Sequence, residues 1–320
     1  MEHCGWRGMW RETMGRWLAL VTLAAGGAAW LSLAAGWWWV LDLASPFQVQ
    51  YAVVLVLGAV GLLVCGKWRW ALVACVLALL PAARVAPYFF PVGHGHATAG
   101  ETRLRVVAFN LWSANQRHDE VLRWVRQTAP DVVVLPEVTL AWARQLDKLA
   151  DILPYSVERT HEGNFGMAVL SRHPLRAERV DTTGEFDGVF AIRVEVAVTG
   201  RVLVVHGVHP PPPLGRQMAV ARDRFLRDLA VEAASAPRPV VIAGDCNATP
   251  WCHAMRPLRA GGMRDARLGR GPVATWRRAT PWVAIPIDHV LVSDQVRVDH
   301  FETGPELGSD HRPVVADVVW

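Results

Sequence analysis

Three long apolar runs crowd into the first hundred residues of this 320-residue chain, and no other sequence feature constrains its fold as strongly. Trp17 to Leu41 has no charged side chain, Leu43 to Gly66 has none, and Trp70 to Phe90 has only Arg84. About 20 apolar residues cross a bilayer core as a helix. The runs therefore predict three transmembrane helices, over about 17–41, 47–66 and 70–90. A cleaved signal peptide would have a shorter apolar stretch than the first run, and two more runs follow it. Only six of the 33 Lys and Arg residues and three of the 29 Asp and Glu lie among the first hundred residues. The remainder is charge-balanced and water-compatible. A uniformly soluble protein is excluded, and so is a pure transporter. The 52% hydrophobic content excludes disorder, and a net charge of +4 does not by itself mark a polyanion binder.

Basic residues set the orientation. Arg7, Arg11 and Arg16 precede the first run, and Lys67 and Arg69 link the second to the third. Asp42 to Gln48, between the first two, has no basic residue. Basic loops stay in the cytoplasm. The N-terminus is then cytoplasmic, and everything after about Tyr88 lies outside. No Asp, Glu or His marks a path through the runs, so anchoring in the bilayer is the expected role. The five cysteines show no metal-ligand spacing and no disulfide framework. Cys246 and Cys252 can pair if their part of the chain is extracytoplasmic, and two buried free thiols are the favoured reading.

The chain divides into a membrane anchor (1–90), a linker (91–103) and a domain over 104–320. Pro91 to Gly100 has the small residues of a tether, and His94 and His96 in it are read as solvated. From Leu104 short apolar runs of period two alternate with helical stretches. Strands are expected over 104–111, 132–135, 167–171, 189–198, 202–208, 240–243, 289–293 and 314–319. Helices are expected over 119–128, 140–149 and 217–234. Several strands follow one another with no helix between, which points to α/β with mixed sheets.

Polar residues recur where these apolar strands stop. Asn110 ends VVAFN, Glu137 ends DVVVLPE, and His209 follows VLVVHGV. Asp245 and Asn247 lie in GDCNATP, Asp288 opens IDHVLVS, and Asp310 and His311 lie in GSDHRPV. Six such strand ends, supplying only Asn, Asp, Glu and His, suggest one shared pocket. Carboxylates and amides are hard oxygen ligands that suit Mg²⁺ or Mn²⁺ better than zinc. The motifs of a nucleophile elbow, a phosphate-binding P-loop and a zinc protease helix are absent. His206 competes with His209 for the pocket; three residues apart on a strand, they face opposite sides. His289 is read as structural.

In this order the motifs resemble the endonuclease/exonuclease/phosphatase superfamily, and specifically its membrane-anchored bacterial branch. GDCNATP and GSDHRPV are the specific parts, and FGMAVLSRHP resembles a further family strand. The resemblance covers about Leu104 to Trp320. It implies a four-layer α/β sandwich, two mixed β-sheets flanked by helices, preceded here by three transmembrane helices. It implies that Glu137 is the main Mg²⁺ ligand, that Asn110 helps hold metal and phosphate, and that Asp310 is a second metal-side carboxylate. Asp245 would orient or deprotonate the attacking water, and Asn247 would position it. His311 would stabilise the phosphoryl transition state, oriented by Asp288, with His209 on the other side of the phosphate. The expected localisation is the bacterial inner membrane with a periplasmic catalytic domain.

The reaction expected is hydrolysis of a phosphodiester or phosphomonoester; nucleic acid, a phospholipid headgroup and a small phosphoester all remain open as substrates. Arg256, Arg259, Arg264, Arg267, Arg270, Arg277 and Arg278 follow the Asp245 motif. Such a run can guide a polyanion, and it is also what a solvated loop looks like in an arginine-rich chain. The rival reading is a non-catalytic membrane-tethered binding or sensor module on the same fold. It is disfavoured because no site position is lost. The bilayer and a phosphate-ester substrate are the only partners implied; no obligate protein partner is.

Overall fold

The computed structural model describes residues 2–90, 101–183, 186–277 and 280–320. The tether over 91–100, with His94 and His96, and Arg278 of the basic run lie outside the described residues. Contacts divide the chain into two compact units, Met1–Phe90 with Trp251–His253, and Pro91–Pro250 with Ala254–Trp320.

The first unit is helical: α1 (Glu2–Leu31, extended by a 3₁₀ turn to Gly36), α2 (Trp39–Asp42), α3 (Gln48–Val64) and α4 (Trp68–Val85). Three segments are long and apolar enough to cross a membrane: Met9–Gly36, Trp39–Val64 and Trp68–Tyr88. The first stops short of the expected Leu41. Trp38 is extended, at φ −150° and ψ 120°, so Trp39 to Leu41 open the second segment instead. The break follows Gly36, a poor helix former. Ala19, Ala59, Leu62, Ala71 and Ala74 pack together inside, while Val56, Leu57, Val60 and Leu63 are exposed. An apolar outer face around a small-residue interior is what a helix bundle in lipid requires.

The second unit contains twelve strands in two six-stranded sheets. In chain order they are β1 (Arg103–Ala108), β2 (Val132–Pro136), β3 (Tyr155–Arg159), β4 (Met167–Ser171), β5 (Leu175–Thr183), β6 (Phe186–Val198), β7 (Arg201–Val208), β8 (Val240–Asp245), β9 (Arg264–Asp265), β10 (Asp288–Val292), β11 (Arg297–Thr303) and β12 (Val314–Val319). One sheet runs β11-β12-β1-β2-β4-β3 and the other β5-β6-β7-β8-β10-β9. Each has one parallel pair, β1 with β2 and β7 with β8, so both are mixed. Four helices complete the unit: α5 (His118–Thr128), α6 (Leu140–Leu146), α7 (Arg216–Ser235) and α8 (Arg256–Ala260).

Period-two burial builds the layers. Val106 and Ala108 of β1 and Val132 and Val134 of β2 meet Leu203 and Val205 of β7 and Val241 and Ala243 of β8 between the sheets. The alternate residues Val107, Val133 and Leu135 face the other way, onto Val121 and Val125 of α5 and Trp142 and Leu146 of α6. α7 turns Ala219, Leu226, Leu229 and Ala233 inward. His206 is buried on β7 and lines a cavity of about 390 Å³ with Val204, Arg193, Glu232 and Ser235. The strand thus separates its two histidines as period two requires.

Burial lowers the His206 pKa to about 4. Such a histidine binds a proton on unfolding but not when folded, so its contribution is complete above an unfolded pKa of about 6.5 and falls with pH toward 4. Between pH 7 and pH 5 the loss is about 2 kcal/mol. His206→Asn should retain that much more of its neutral-pH stability at pH 5 than the native chain, measured by pulse proteolysis in urea. An equal acid loss in both proteins would contradict the assignment.

Candidate active site

The ends of both parallel pairs deliver polar side chains to one place. Asn110 lies two residues past β1 and Glu137 directly follows β2; in the other sheet His209 directly follows β7, and Asp245 closes β8. All four are buried. β10 runs antiparallel to β8 with Asp288 directly opposite Asp245. His311, between β11 and β12, joins them from the first sheet's side.

Hydrogen bonds fix the arrangement. Asn110 donates through Nδ2 to Glu137 Oε1 at 3.0 Å and to Asp245 Oδ2 at 3.2 Å. Its own Oδ1 accepts from the Trp112 backbone N–H, so this amide clamps two carboxylates and does not offer them its oxygen. Glu137 Oε2 accepts from the Ser113 N–H at 3.1 Å. Asp245 Oδ1 accepts from the Asn247 N–H at 2.8 Å, and Asn247 Nδ2 donates to the Pro210 carbonyl at 2.9 Å, tying the loop after His209 to the Asp245 motif. His311 Nδ1 sits 2.9 and 3.1 Å from the two Asp288 oxygens. Its Nε2 is 3.8 Å from Asp245 Oδ2 and 4.0 Å from Asp310 Oδ1. His209 Nε2 lies 3.6 Å from Asp245 Oδ2 and 4.0 Å from Glu137 Oε1.

Every residue selected from the sequence is therefore at this end of the sandwich, with Asp310 on the open rim, its side chain 45% exposed. His289 stays behind the site, where Nε2 meets the Ala248 carbonyl at 2.8 Å. Several supports carry no sequence signal of their own. Thr275 Oγ1 accepts from the Asp288 N–H, and the buried Arg267 donates to the Asp288 carbonyl. The Trp276 indole donates to Asp310 Oδ2 at 2.9 Å. Ser309 lies within GSDHRPV. Two residues before His311, its hydroxyl accepts from the His311 N–H and donates to the Asn110 carbonyl.

Electrostatics divides the two histidines. Burial would lower the His311 pKa, but the charges of Asp288 and Asp245 and the Asp288 hydrogen bond outweigh it and lift it to about 10. Burial, aided by the His311 charge, lowers His209 to about 3. One is a cation and the other neutral at pH 7. Burial raises the Glu137 and Asp245 pKa values against the pull of Asn110 and His311. Four carboxylates (Glu137, Asp245, Asp288, Asp310) thus face a single cationic side chain. This hard, electron-rich donor set fits a divalent cation. Asp245, Asp288 and His311 place ligand atoms within 4.8 Å of one another. A protonated His311 is no ligand, however, so Glu137 and Asp245 are the better pair of donors.

The backbone is strained around these groups. Glu137 has φ +64°, Trp112 +60°, Asn247 +47° and Arg277 +58°, four of the six non-glycine residues with positive φ among the described residues. Such conformations cost on the order of 1–3 kcal/mol and persist where surroundings enforce them. At Glu137 the enforcing neighbour is Gly166, whose carbonyl accepts from the Glu137 N–H at 2.8 Å.

Residues 107–311 match the model of the Endonuclease/Exonuclease/phosphatase family. No curated protein matches the chain. Among solved structures, humanized D. rerio TDP2 is similar at TM-score 0.58 and 19% identity, over 68% of this chain and 98% of that one. An endonuclease/exonuclease/phosphatase from Beutenbergia cavernae is similar at 0.55 and 23%, over 68% and 71%. A 3′ phosphatase, NExo, from Neisseria, bound to a product DNA hairpin, is similar at 0.56 and 18%, over 68% and 100%. At these identities the likeness is one of fold.

A Cβ on Gly166 would stand 1.9 Å from the Val138 carbonyl oxygen. Gly166→Ala must therefore push β4 away from the Glu137 turn. Any hydrolytic activity of the site should drop at least about tenfold while the circular dichroism spectrum is kept, since misplacement of about 1 Å costs that much or more. Unchanged activity would separate the Glu137 turn from function.

Proposed function

The chain belongs to the endonuclease/exonuclease/phosphatase family, and from that premise we propose that it is a membrane-anchored, divalent-metal-dependent phosphoesterase that works by in-line attack of water on phosphorus. The anchor is 1–90, the linker 91–103 and the catalytic domain 104–320. The basic loops support a cytoplasmic N-terminus and a domain outside a bacterial inner membrane. The observation that carries the reading is the Asp288–His311 pair, with His311 Nε2 turned toward Asp245.

His311 is the electrostatic element. Asp288 accepts a hydrogen bond from Nδ1–H, which leaves Nε2–H as a donor toward the mouth. A cationic donor there stabilises the charge that builds on a phosphoryl oxygen as water adds. Asp245, its pKa raised by burial, is suited to orient the attacking water and accept its proton near neutral pH. Asn247 holds the same loop in place, and Asn110 keeps Glu137 and Asp245 together. His209, neutral, offers a hydrogen bond to the phosphate from the other side. Glu137, with Asp245 and Asp310 beside it, would hold Mg²⁺ or Mn²⁺. When bound, the cation supplies Lewis-acid charge for the phosphoryl group.

The full chain in detergent should hydrolyse bis(p-nitrophenyl) phosphate with Mg²⁺ and lose that activity in chelator. Asp288→Asn keeps the shape and removes the charge that helps hold His311 protonated. Turnover should fall about 10²-fold with KM little changed, because the contact belongs to the transition state. The alkaline limb of the pH–rate profile should move to lower pH, since less carboxylate charge remains to raise His311. Asp288→Asn with His311→Ala should be scarcely worse than His311→Ala alone. Additive losses would mean that Asp288 acts independently of His311.

A further inference from the structure

Beyond the first ninety residues, nine large apolar side chains are exposed among the described residues. Six of them, Trp112, Leu140, Leu214, Val273, Trp282 and Val283, belong to segments that also carry site residues or their direct supports. Trp112 is two residues past Asn110, and Leu140 three past Glu137. Leu214, 80% exposed, tips the proline loop that follows His209. Val273 is two residues before Thr275, the residue that holds Asp288. Trp282, 83% exposed, and Val283 lie in the excursion from Trp276 to Ile285. Its two ends bridge each other, and Trp276 also bridges His311. The loops that carry the site residues thus also carry exposed large apolar side chains, a feature that marks interaction surfaces when such groups are contiguous.

Charge flanks them. Arg216 is exposed two residues beyond Leu214, and Arg277 stacks 4.6 Å over the Trp276 ring beside the Trp282 excursion. Apolar tips with aromatic rings and flanking arginines have the composition of a surface seated at a lipid interface. Four arginines of the basic run after Asp245, by contrast, donate to the domain's own backbone. Arg267 is fully buried, Arg259 donates to the Pro250 carbonyl, Arg264 to that of Val296 and Arg270 to that of Val298. Leu214, Val273 and Val283 have no ring on which a base could stack.

Resting on the phosphoesterase reading, we propose that this collar docks on a phospholipid bilayer, so that the site takes the headgroup phosphoester of a membrane lipid. The tether agrees in scale. Pro91 to Gly100 are ten residues, a reach of at most roughly 35 Å. Trp282 and Leu214 enter the interfacial zone, the arginines meet lipid phosphates, and the lipid's own phosphate lies before His311 and Glu137.

The full chain reconstituted in phosphatidylethanolamine–phosphatidylglycerol vesicles tests this. Benzoylphenylalanine placed at Trp282 or Leu214 should photocrosslink to lipid, and at Val231, exposed on α7, it should not. Trp282→Ser with Leu214→Ser should lower headgroup hydrolysis in the vesicles at least about tenfold, as loss of two large apolar anchors implies. Turnover of bis(p-nitrophenyl) phosphate should stay within about twofold, because neither residue supports the site directly. Crosslinking at 282 no stronger than at 231 overturns the proposal. So does an unaffected lipid turnover, or a variant whose defect falls on a single-stranded oligonucleotide instead. Lipid crosslinking with no hydrolysis of the soluble diester by the native chain would refute the phosphoesterase reading itself, and the lipid substrate with it.

Discussion

Two carboxylates standing directly opposite each other across β8 and β10 are the constraint on which the site depends. Asp245 and Asp288 occupy one register position, are both buried, and would repel. His311 resolves the repulsion by sitting within 2.9 Å of one and 3.8 Å of the other as a cation. Most of the surrounding construction follows from keeping that charge balance. Thr275 and Arg267 hold the Asp288 backbone from behind. Ser309 locks the His311 backbone to the end of β1. Asn110 then links Asp245 to Glu137, extending the cluster across both sheets. A cluster with such an excess of acid is poised to accept positive charge, whether from a metal or a protonated side chain.

Much of this was readable because strand ends leave a strong local signature. An apolar run that stops at Asn110, Glu137 or Asp245 announces both the strand and the residue it delivers. The period-two burial of Val106, Ala108, Val132 and Val134 was equally legible. The missed elements are the ones whose pattern is set by neighbours. β3 and β11 mix buried with exposed residues and lack a clean alternation, because each lies at a sheet edge. β9 is two residues long and exists through its pairing with β10. The end of the first membrane segment was misplaced by composition, since Trp37 to Trp39 are as apolar as the helix they leave. The Asn110 side chain also accepts from the Trp112 N–H through Oδ1 and donates to Glu137 and Asp245, partners that strand-end position does not reveal. Side-chain orientation of that kind is settled by three-dimensional neighbours.

The arginine run shows how far a sequence can mislead about surface. Seven arginines in 23 residues suggest a positive groove. Arg267 instead spends its charge on Asp265 and the Asp288 carbonyl, stacked 5.4 Å from the Phe301 ring. Arg264 and Arg270 close loops onto β11 and the segment before it. Arg267 supports Asp288 from within, and the loops that carry site residues expose apolar side chains flanked by Arg216 and Arg277.

β12 follows every other strand in the chain, yet it lies inside its sheet, between β11 and β1. His311 comes just before it, and β1, the first strand made, waits with one edge open until β12 pairs Val314 to Val319 with Arg103 to Ala108. Glu137 and Asn110 thus precede, by more than 170 residues of chain, the residue that completes their charge balance. A site that needs His311 is therefore complete only once β12 has paired with β1, which ties assembly of the charge balance to closure of the sheet.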